Sequence, residues 1–252
     1  MDLGLIGKKA IVTGASRGIG FAIAQTLASE GVDLAICARG ADGLETAVKD
    51  LQSRGRKVFS RAFDVEDGDA LRAFVEESAE QLGGLDILVS NPSGGNAGGE
   101  ESWKSNFEVD LMGCVRSFEA ATPSLLKSDS ASVIFISSTA AVETFMGPTS
   151  YNALKGAVVI HANGLSQTFG PQGIRVNTVS PGPVYFEGGS WQMIEKNMPD
   201  MFKEALKGCA TGRMSTAEDV ANAAVFLASP TGGNITGVNL IVDGGFTKRV
   251  NF

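Results

Sequence analysis

The segment "TSYNALKG", Thr149 to Gly156, sets Tyr151 and Lys155 four residues apart. In a helix that spacing puts both side chains on one face, a turn apart. Such a pair could act as a phenolic acid supported by a cation. Two residues can also share a helix face by accident, so the pair carries chemistry only if other elements bring a cofactor and a partner group to it.

A second stretch could hold a cofactor. "TGASRGIG", Thr13 to Gly20, follows an apolar strand-like run directly and leads into a segment of helical period. Gly14, Gly18 and Gly20 lie where the chain leaves the strand, with Ser16, Arg17 and Ile19 between them. A helix start offers free backbone N–H groups to a pyrophosphate, and glycines let the phosphates approach closely. The spacing G-x-x-x-G-x-G is a variant of the dinucleotide fingerprint, and no Gly-Lys-Ser/Thr follows to make it a Walker loop. The alternative is a tight turn with no ligand. The second strand ends "ICARG", with Ala38 where an acidic residue would select NAD. Arg39 follows it. With Arg17 it could clamp a 2′-phosphate, which favours NADP(H) over NAD(H); otherwise both are solvated surface arginines.

These groups need a scaffold. Runs such as "KAIVTG", "VDLAICA", "KVFSRAF", "LDILVS", "SVIFIS", "IRVNTVS" and "VNLIVDGG" read as strands. Helical periodicity covers 18–30, 41–53, 67–82, 103–127, 150–169 and 216–228. The alternation predicts a parallel sheet covered by helices on both faces. No linker or repeat interrupts it, so residues 1–252 are expected to form one domain. The connection at 183–212 is too long for an ordinary loop and is expected to be a substrate lid.

Bulk properties narrow the partners. The net charge is −7 without long runs of either sign, which argues against nucleic acid or an anionic membrane. No apolar run approaches the roughly 18 residues of a membrane span. No secretory leader pattern is visible, so a cytoplasmic location is expected. Cys37, Cys114 and Cys209 lack paired spacing and read as reduced, partly buried thiols. The one histidine, His161, falls within a helical apolar stretch and reads as a helix-face residue.

Taken in order, the motifs resemble the short-chain dehydrogenase/reductase family, its 3-oxoacyl-reductase-like branch in particular, over nearly the whole chain. "TGASRGIG" is similar to the family's glycine motif, and Asp64 and Val65 in "FDV" to its adenine-contacting pair. "SNPSGG" stands where the family carries Asn-Asn-Ala-Gly. Ser138 in "ISSTAA" precedes Tyr151 by thirteen residues, the family spacing, and "YNALK" matches its Tyr-x-x-x-Lys. "RVNTVSPGPV", "GRMSTAEDVANAAVFLAS" and "ITGVNLIVDGG" resemble its later signatures.

The resemblance implies a seven-stranded Rossmann-type doubly wound parallel sheet. It implies that Tyr151 exchanges a proton with a carbonyl or alcohol oxygen as hydride moves to or from a nicotinamide. A free phenol titrates near pH 10, too high for a base at neutrality, and a neighbouring Lys155 would favour the phenolate. Lys155 would also hold the ribose, and Ser138 the substrate oxygen. Asn91, Pro181, Gly182 and Val184 would line the cofactor channel. No metal is needed, and a homotetramer is implied.

Three departures stand out. Asp110 in "FEVDLMG" replaces an asparagine that supports a proton relay to the lysine, and a relay with altered pH dependence is expected; an inert replacement is the alternative. Pro92 and Ser93 replace Ala-Gly beside the nicotinamide and should stiffen that loop. Tyr185 and Phe186 stand where a threonine is common. The lid's Tyr185, Phe186, Trp191, Met193, Met198, Met201 and Phe202, with Phe145, suggest an apolar or aromatic small-molecule carbonyl or alcohol substrate; ordinary core contacts are the other reading. An acyl-carrier-protein reductase would need basic docking residues, yet Lys127 is offset by Asp129 and Gln172 is uncharged. A non-catalytic nucleotide sensor is the remaining alternative.

Overall fold

The structure, a computed structural model, describes residues 1–95, 98–144 and 147–250. Phe145, named above with the substrate-facing aromatics, lies outside the described residues. Seven strands form one parallel sheet: β1 (Lys9–Thr13), β2 (Asp33–Ala38), β3 (Val58–Ala62), β4 (Ile87–Ser90), β5 (Ser132–Ile136), β6 (Arg175–Pro181) and β7 (Asn239–Val242). Their order is β3-β2-β1-β4-β5-β6-β7. The order reverses between β1 and β4, and a crevice opens at such a switch point outside the carboxyl ends of the strands.

Alternate strand residues feed two separate cores, as the pleat requires. Ala10 and Val12 pack with Leu34, Ile36 and Ile134 under α1 (Gly18–Ser29), α2 (Ala41–Ser53) and α9 (Ala217–Ala228). Ile11, Leu88, Val133 and Phe135 pack on the other face against α3 (Gly68–Leu82), α5 (Gly113–Leu125) and α6 (Ser150–Phe169). Strands buried on both faces must be almost wholly apolar, as β1, β2, β4 and β5 are.

Local chemistry sets the helix limits. Asp67 caps α3 by accepting from Ala70 N at 3.0 Å, and Gly83, at φ +73°, ends it in the left-handed region. Thr216 and Asp219 form a reciprocal capping box at α9.

Two parts differ from the sequence expectation. The stretch 103–127 is two helices, α4 (Gly99–Asn106) and α5, joined by a π-helical turn over Phe107–Met112. The connection at 183–212 contains α7 (Ser190–Asn197) and α8 (Pro199–Gly208). Tyr185, Trp191, Phe202 and Leu206 pack there with Ala205, Cys209, Met214 and Phe246 in a small core of their own. Several of the aromatic residues expected to face substrate therefore hold this segment together, while Met193 and Met198 stay exposed.

Candidate active site

Every segment singled out for chemistry reaches the carboxyl edge of the sheet. The glycine loop follows β1, Arg39 follows β2, and Asn91 follows β4. Ser138 follows β5, and Pro181 ends β6.

The glycine loop is shaped by contacts that exclude side chains. A Cβ on Gly20 would lie 2.4 Å from Gly14 O, and Gly14 itself has φ +66°. Arg17 stands at the N-cap of α1 without a side-chain capping bond, and the first turn carries no acidic residue. An anion therefore meets uncapped backbone N–H groups and the positive end of the helix dipole, so the residues present fit a dinucleotide pyrophosphate. Asn91 donates through Nδ2 to Gly14 O at 3.0 Å and to Thr13 O at 3.3 Å. Its amide thus holds the glycine loop in shape, and the residue stays partly exposed beside it.

The two arginines reach different places. Arg39 Nη1 lies 4.0 Å from Asp64 Oδ2 on the exposed surface. Arg17 Nη1 donates to Gly188 O at 3.4 Å, toward the 183–212 segment. The ring of Phe186 also covers the loop, since a Cβ on Gly18 would meet its edge at 2.7 Å. Val65 is buried beyond β3. Gly182 admits no side chain, because a Cβ there would be 2.5 Å from Asp243 Cβ. The next residues pair with Ser215, Tyr185 N donating to Ser215 O at 2.9 Å, which fixes the buried Val184 between them.

The centre of the site is an ion pair. Lys155 Nζ lies 2.8 Å from Asp110 Oδ1, with the side chains 3% and 0% exposed. It also donates to Ile136 O at 2.9 Å and lies 5.8 Å from the centroid of the Tyr151 ring. An ammonium has three donors, so one remains for a cofactor or substrate oxygen. Burial works against the Lys155 charge, and the Asp110 carboxylate, with Tyr151 in a lesser part, outweighs it. The ammonium accordingly stands above the ordinary lysine range.

The π-helical turn explains how an aspartate reaches this position. Its wider winding shifts the following side chains around the helix axis. Asp110 sits within the turn and faces α6. Its second oxygen accepts from Gly94 N at 3.0 Å and Asn106 Nδ2 at 2.7 Å, so the buried charge is paired and hydrogen-bonded.

Tyr151 lies half-buried in the first turn of α6, which Thr149 caps by accepting from Asn152 N at 3.3 Å. Ser137 Oγ donates to Lys155 O at 2.9 Å and ties the helix to the end of β5. Ser138 Oγ accepts from Ala140 N at 3.1 Å, which leaves its own O–H free to donate elsewhere. Ser137, Gly94 and Asn106 escaped sequence reasoning: each acts through a partner distant in the chain, and no short motif marks them.

The other reactive residues stay apart from this centre or are silenced. Cys37 and Cys114 are pushed up to about 12 and about 11 by burial, which makes them poor nucleophiles. His161 stacks on Phe135 with 6.2 Å between ring centroids, and burial lowers its pKa, in keeping with a helix-face residue.

A dinucleotide cradle beside a buried lysine–tyrosine pair defines a nicotinamide-dependent oxidoreductase site. Comparison with known proteins agrees. The family described as enoyl-(acyl carrier protein) reductase matches residues 14–247. Isoepoxydon dehydrogenase of Penicillium expansum is 39% identical over 259 residues, covering 100% of this chain and 99% of the relative. The 3-oxoacyl-[acyl-carrier-protein] reductase of Chlamydia muridarum is 34% identical, covering 96% of this chain and 98% of the relative. The crystal structure of L-sorbose reductase from Gluconobacter frateurii, complexed with NADPH and L-sorbose, superposes with a TM-score of 0.90 at 31% identity. That match covers 99% of this chain and 100% of the other. The chain belongs to the short-chain dehydrogenase/reductase family. It is an oxidoreductase that uses a nicotinamide cofactor on carbonyl or hydroxyl groups. Among the described residues no helix is long and apolar enough to cross a membrane.

Proposed function

We propose that the protein is an NADP(H)-dependent reductase of small carbonyl compounds, or dehydrogenase of the matching secondary alcohols, with Tyr151, Lys155 and Ser138 as its reacting groups. The observation that carries this reading is the buried Lys155 ammonium, 5.8 Å from the Tyr151 ring and fixed by Asp110 and Ile136 O. The bound cofactor supplies or accepts the hydride. Tyr151 gives its proton to the carbonyl oxygen in reduction and recovers it in oxidation. Ser138 donates its free O–H to the same oxygen and stabilises the charge that develops there. The third N–H of Lys155 holds the ribose and keeps a positive charge near the phenol. Asp110 neutralises part of that charge.

Arg39 and Arg17 support the preference for NADP(H). Arg39 follows β2, Arg17 lies in the glycine loop, and neither is bound to a carboxylate closer than 4.0 Å, so either could turn to a 2′-phosphate. The segment 183–212 serves as a lid over the crevice, anchored on the glycine loop by Phe186 and Arg17. Exposed Met193 and Met198 favour an apolar group on the substrate. A small molecule also fits better than an acyl carrier protein. With a net charge of −7 the chain offers a poor surface to an acidic carrier. Asp129 pairs with Lys8 at 2.6 Å, and Lys127 borders a groove at the amino edge of the sheet, away from the crevice. The relative named for isoepoxydon and the neighbour holding L-sorbose likewise act on small molecules. A cytoplasmic homotetramer completes the reading.

The test is a screen of ketones, diketones and secondary alcohols followed at the coenzyme absorbance, with NADPH and NADH in parallel. Turnover of apolar ketones with NADPH supports the proposal. A higher specificity constant on acetoacetyl carrier protein, or a clear preference for NADH, overturns the corresponding part.

A further inference from the structure

Asn106, the last residue of α4, is fully buried and makes every hydrogen bond an amide can make. Its Nδ2 donates to Asp110 Oδ2 at 2.7 Å and to Gly95 O at 2.9 Å. Its Oδ1 accepts from Ser150 Oγ at 3.0 Å and Ser102 Oγ at 3.2 Å. The orientation of the amide follows from these partners, because a carboxylate and a carbonyl can only accept.

Three of the four partners belong to the proposed machinery. Asp110 carries Lys155 on its other oxygen. Gly95 lies in the loop that leaves β4 past Asn91, and Ser150 immediately precedes Tyr151. Gly94 seals the arrangement. Its N–H donates to Asp110 Oδ2 at 3.0 Å, and a Cβ there would stand 3.0 Å from Asn106 N. One side chain thus joins the lysine's counter-ion, the loop at the crevice and the start of the tyrosine helix.

We infer that Asn106 is a positioning residue for the reaction: it orients Asp110 so that Oδ1 stays on Lys155, and it clamps the 94–95 loop to the first turn of α6. The inference rests on Tyr151 and Lys155 being the reacting pair. Neither an apolar nor an acidic replacement fits. Leucine would leave Gly95 O without its donor, leave the Ser102 and Ser150 hydroxyls only each other at 3.0 Å, and take a donor from a buried carboxylate. Aspartate would set a like charge 2.7 Å from Asp110. The orienting part of this role acts through Asp110, so most of the rate lost on removing Asn106 should appear only while Asp110 is present.

The experiment compares the wild type, Asn106→Leu, Asp110→Asn and the double variant in the reduction of 1-phenyl-1,2-propanedione by NADPH. NADPH binding is followed by coenzyme fluorescence, and amide hydrogen exchange is followed at residues 91–95. Asn106→Leu should lower kcat about 30-fold, as expected for a lost donor to a buried charge, with KM and the NADPH Kd within about threefold. Exchange at Gly94 should quicken at least about tenfold. In the Asp110→Asn background the same substitution should cost less than about threefold, because the carboxylate that Asn106 orients is already gone. A kcat for Asn106→Leu within about threefold of wild type, or losses that multiply in the double variant, overturns the inference. If Asn106→Leu does not fold, Ser150→Ala removes one of the two hydroxyls on the amide and should cost about three- to tenfold in kcat, again only with Asp110 present; an unchanged kcat then refutes the clamp. Tyr151→Phe in the same assay separates the two readings. Activity retained there strikes the choice of reacting pair, and hydrogen exchange at Gly94 alone then decides whether Asn106 holds the loop.

Discussion

Replacing Asp110 by asparagine removes one charge at a buried site and nearly nothing else. Lys155 and Asp110 stand 2.8 Å apart, which at an effective dielectric of about 20 corresponds to a gross attraction of about 6 kcal/mol. Desolvation takes back much of this, and breaking a buried pair by removing one partner typically costs about 3–5 kcal/mol. The amide cannot repair the loss. Whichever way it turns, its NH2 faces either the Lys155 ammonium or the donors of Gly94 and Asn106. Denaturant unfolding at neutral pH should therefore show a loss of about 3–5 kcal/mol. The Lys155 ammonium is raised in the fold, so its contribution is whole below the ordinary lysine value of about 10.4 and fades as pH rises through its higher folded value. The gap between wild type and variant should stay constant from neutrality to about pH 9 and narrow above about pH 10.

The same change acts on the rate. Asp110 lies no farther than about 8–9 Å from the Tyr151 ring, given its contact with Lys155 and the lysine's distance to that ring. One charge at that range is worth about 2 kcal/mol at the same dielectric. Cys114, the other titratable group beside the pair, is pushed up by burial and stays neutral. Without Asp110 the lysine's field is uncompensated. The pH–rate profile for alcohol oxidation should then move to lower pH. A profile that does not move, together with unchanged unfolding free energy at neutral pH, would refute the reasoning about the pair.

Arg39→Ala should weaken NADPH binding at least about tenfold and leave NADH binding within about twofold, measured by coenzyme fluorescence, as expected when a charge-assisted phosphate contact is lost; equal effects on both would remove the phosphate role. Gly20→Ala places a methyl group 2.4 Å from Gly14 O and should abolish saturable coenzyme binding and cost about 1–3 kcal/mol in stability. Asp219→Ala removes half of the α9 capping box and the Arg213 contact, for a loss of about 1 kcal/mol at pH 7. The Arg213 hydrogen bond and the cap hold the Asp219 carboxyl down at about 2, so this stabilisation is present above the ordinary aspartate value and should vanish in melts as pH falls toward 2.

Much of this architecture was legible in the chain because its signals are local. Short β-branched runs bounded by glycine become strands buried on both faces, and "TGASRGIG" shapes one turn whose glycines are required by contacts within that turn, with Asn91 and, at Gly18, with Phe186. Ser138, Tyr151 and Lys155 lie close together in sequence, so spacing finds them. The π-helical turn was invisible, since one residue inserted into a helix disturbs an apolar stripe too little to register in composition. Asp110 facing Lys155 depends on a contact between residues 45 apart, so only the family resemblance, and no local pattern, brought the two together in the sequence. Asn106 meets Ser150 across 44 residues, and nothing in "SNFEVD" marks the asparagine. The aromatic residues of 183–212 were ambiguous for another reason. Composition tells that they are apolar but not whether they face a substrate or a core, and Tyr185, Trp191 and Phe202 pack, partly buried, on one small core.

The central claim is that Tyr151, held beside Lys155, exchanges the proton that accompanies hydride transfer. Single-turnover reduction of a reactive ketone by enzyme-bound NADPH tests it most directly, comparing wild type with Tyr151→Phe at matched coenzyme saturation. The account predicts a rate at least about 1,000-fold lower in the variant with an unchanged NADPH Kd. A variant that turns over within about tenfold of wild type would contradict it.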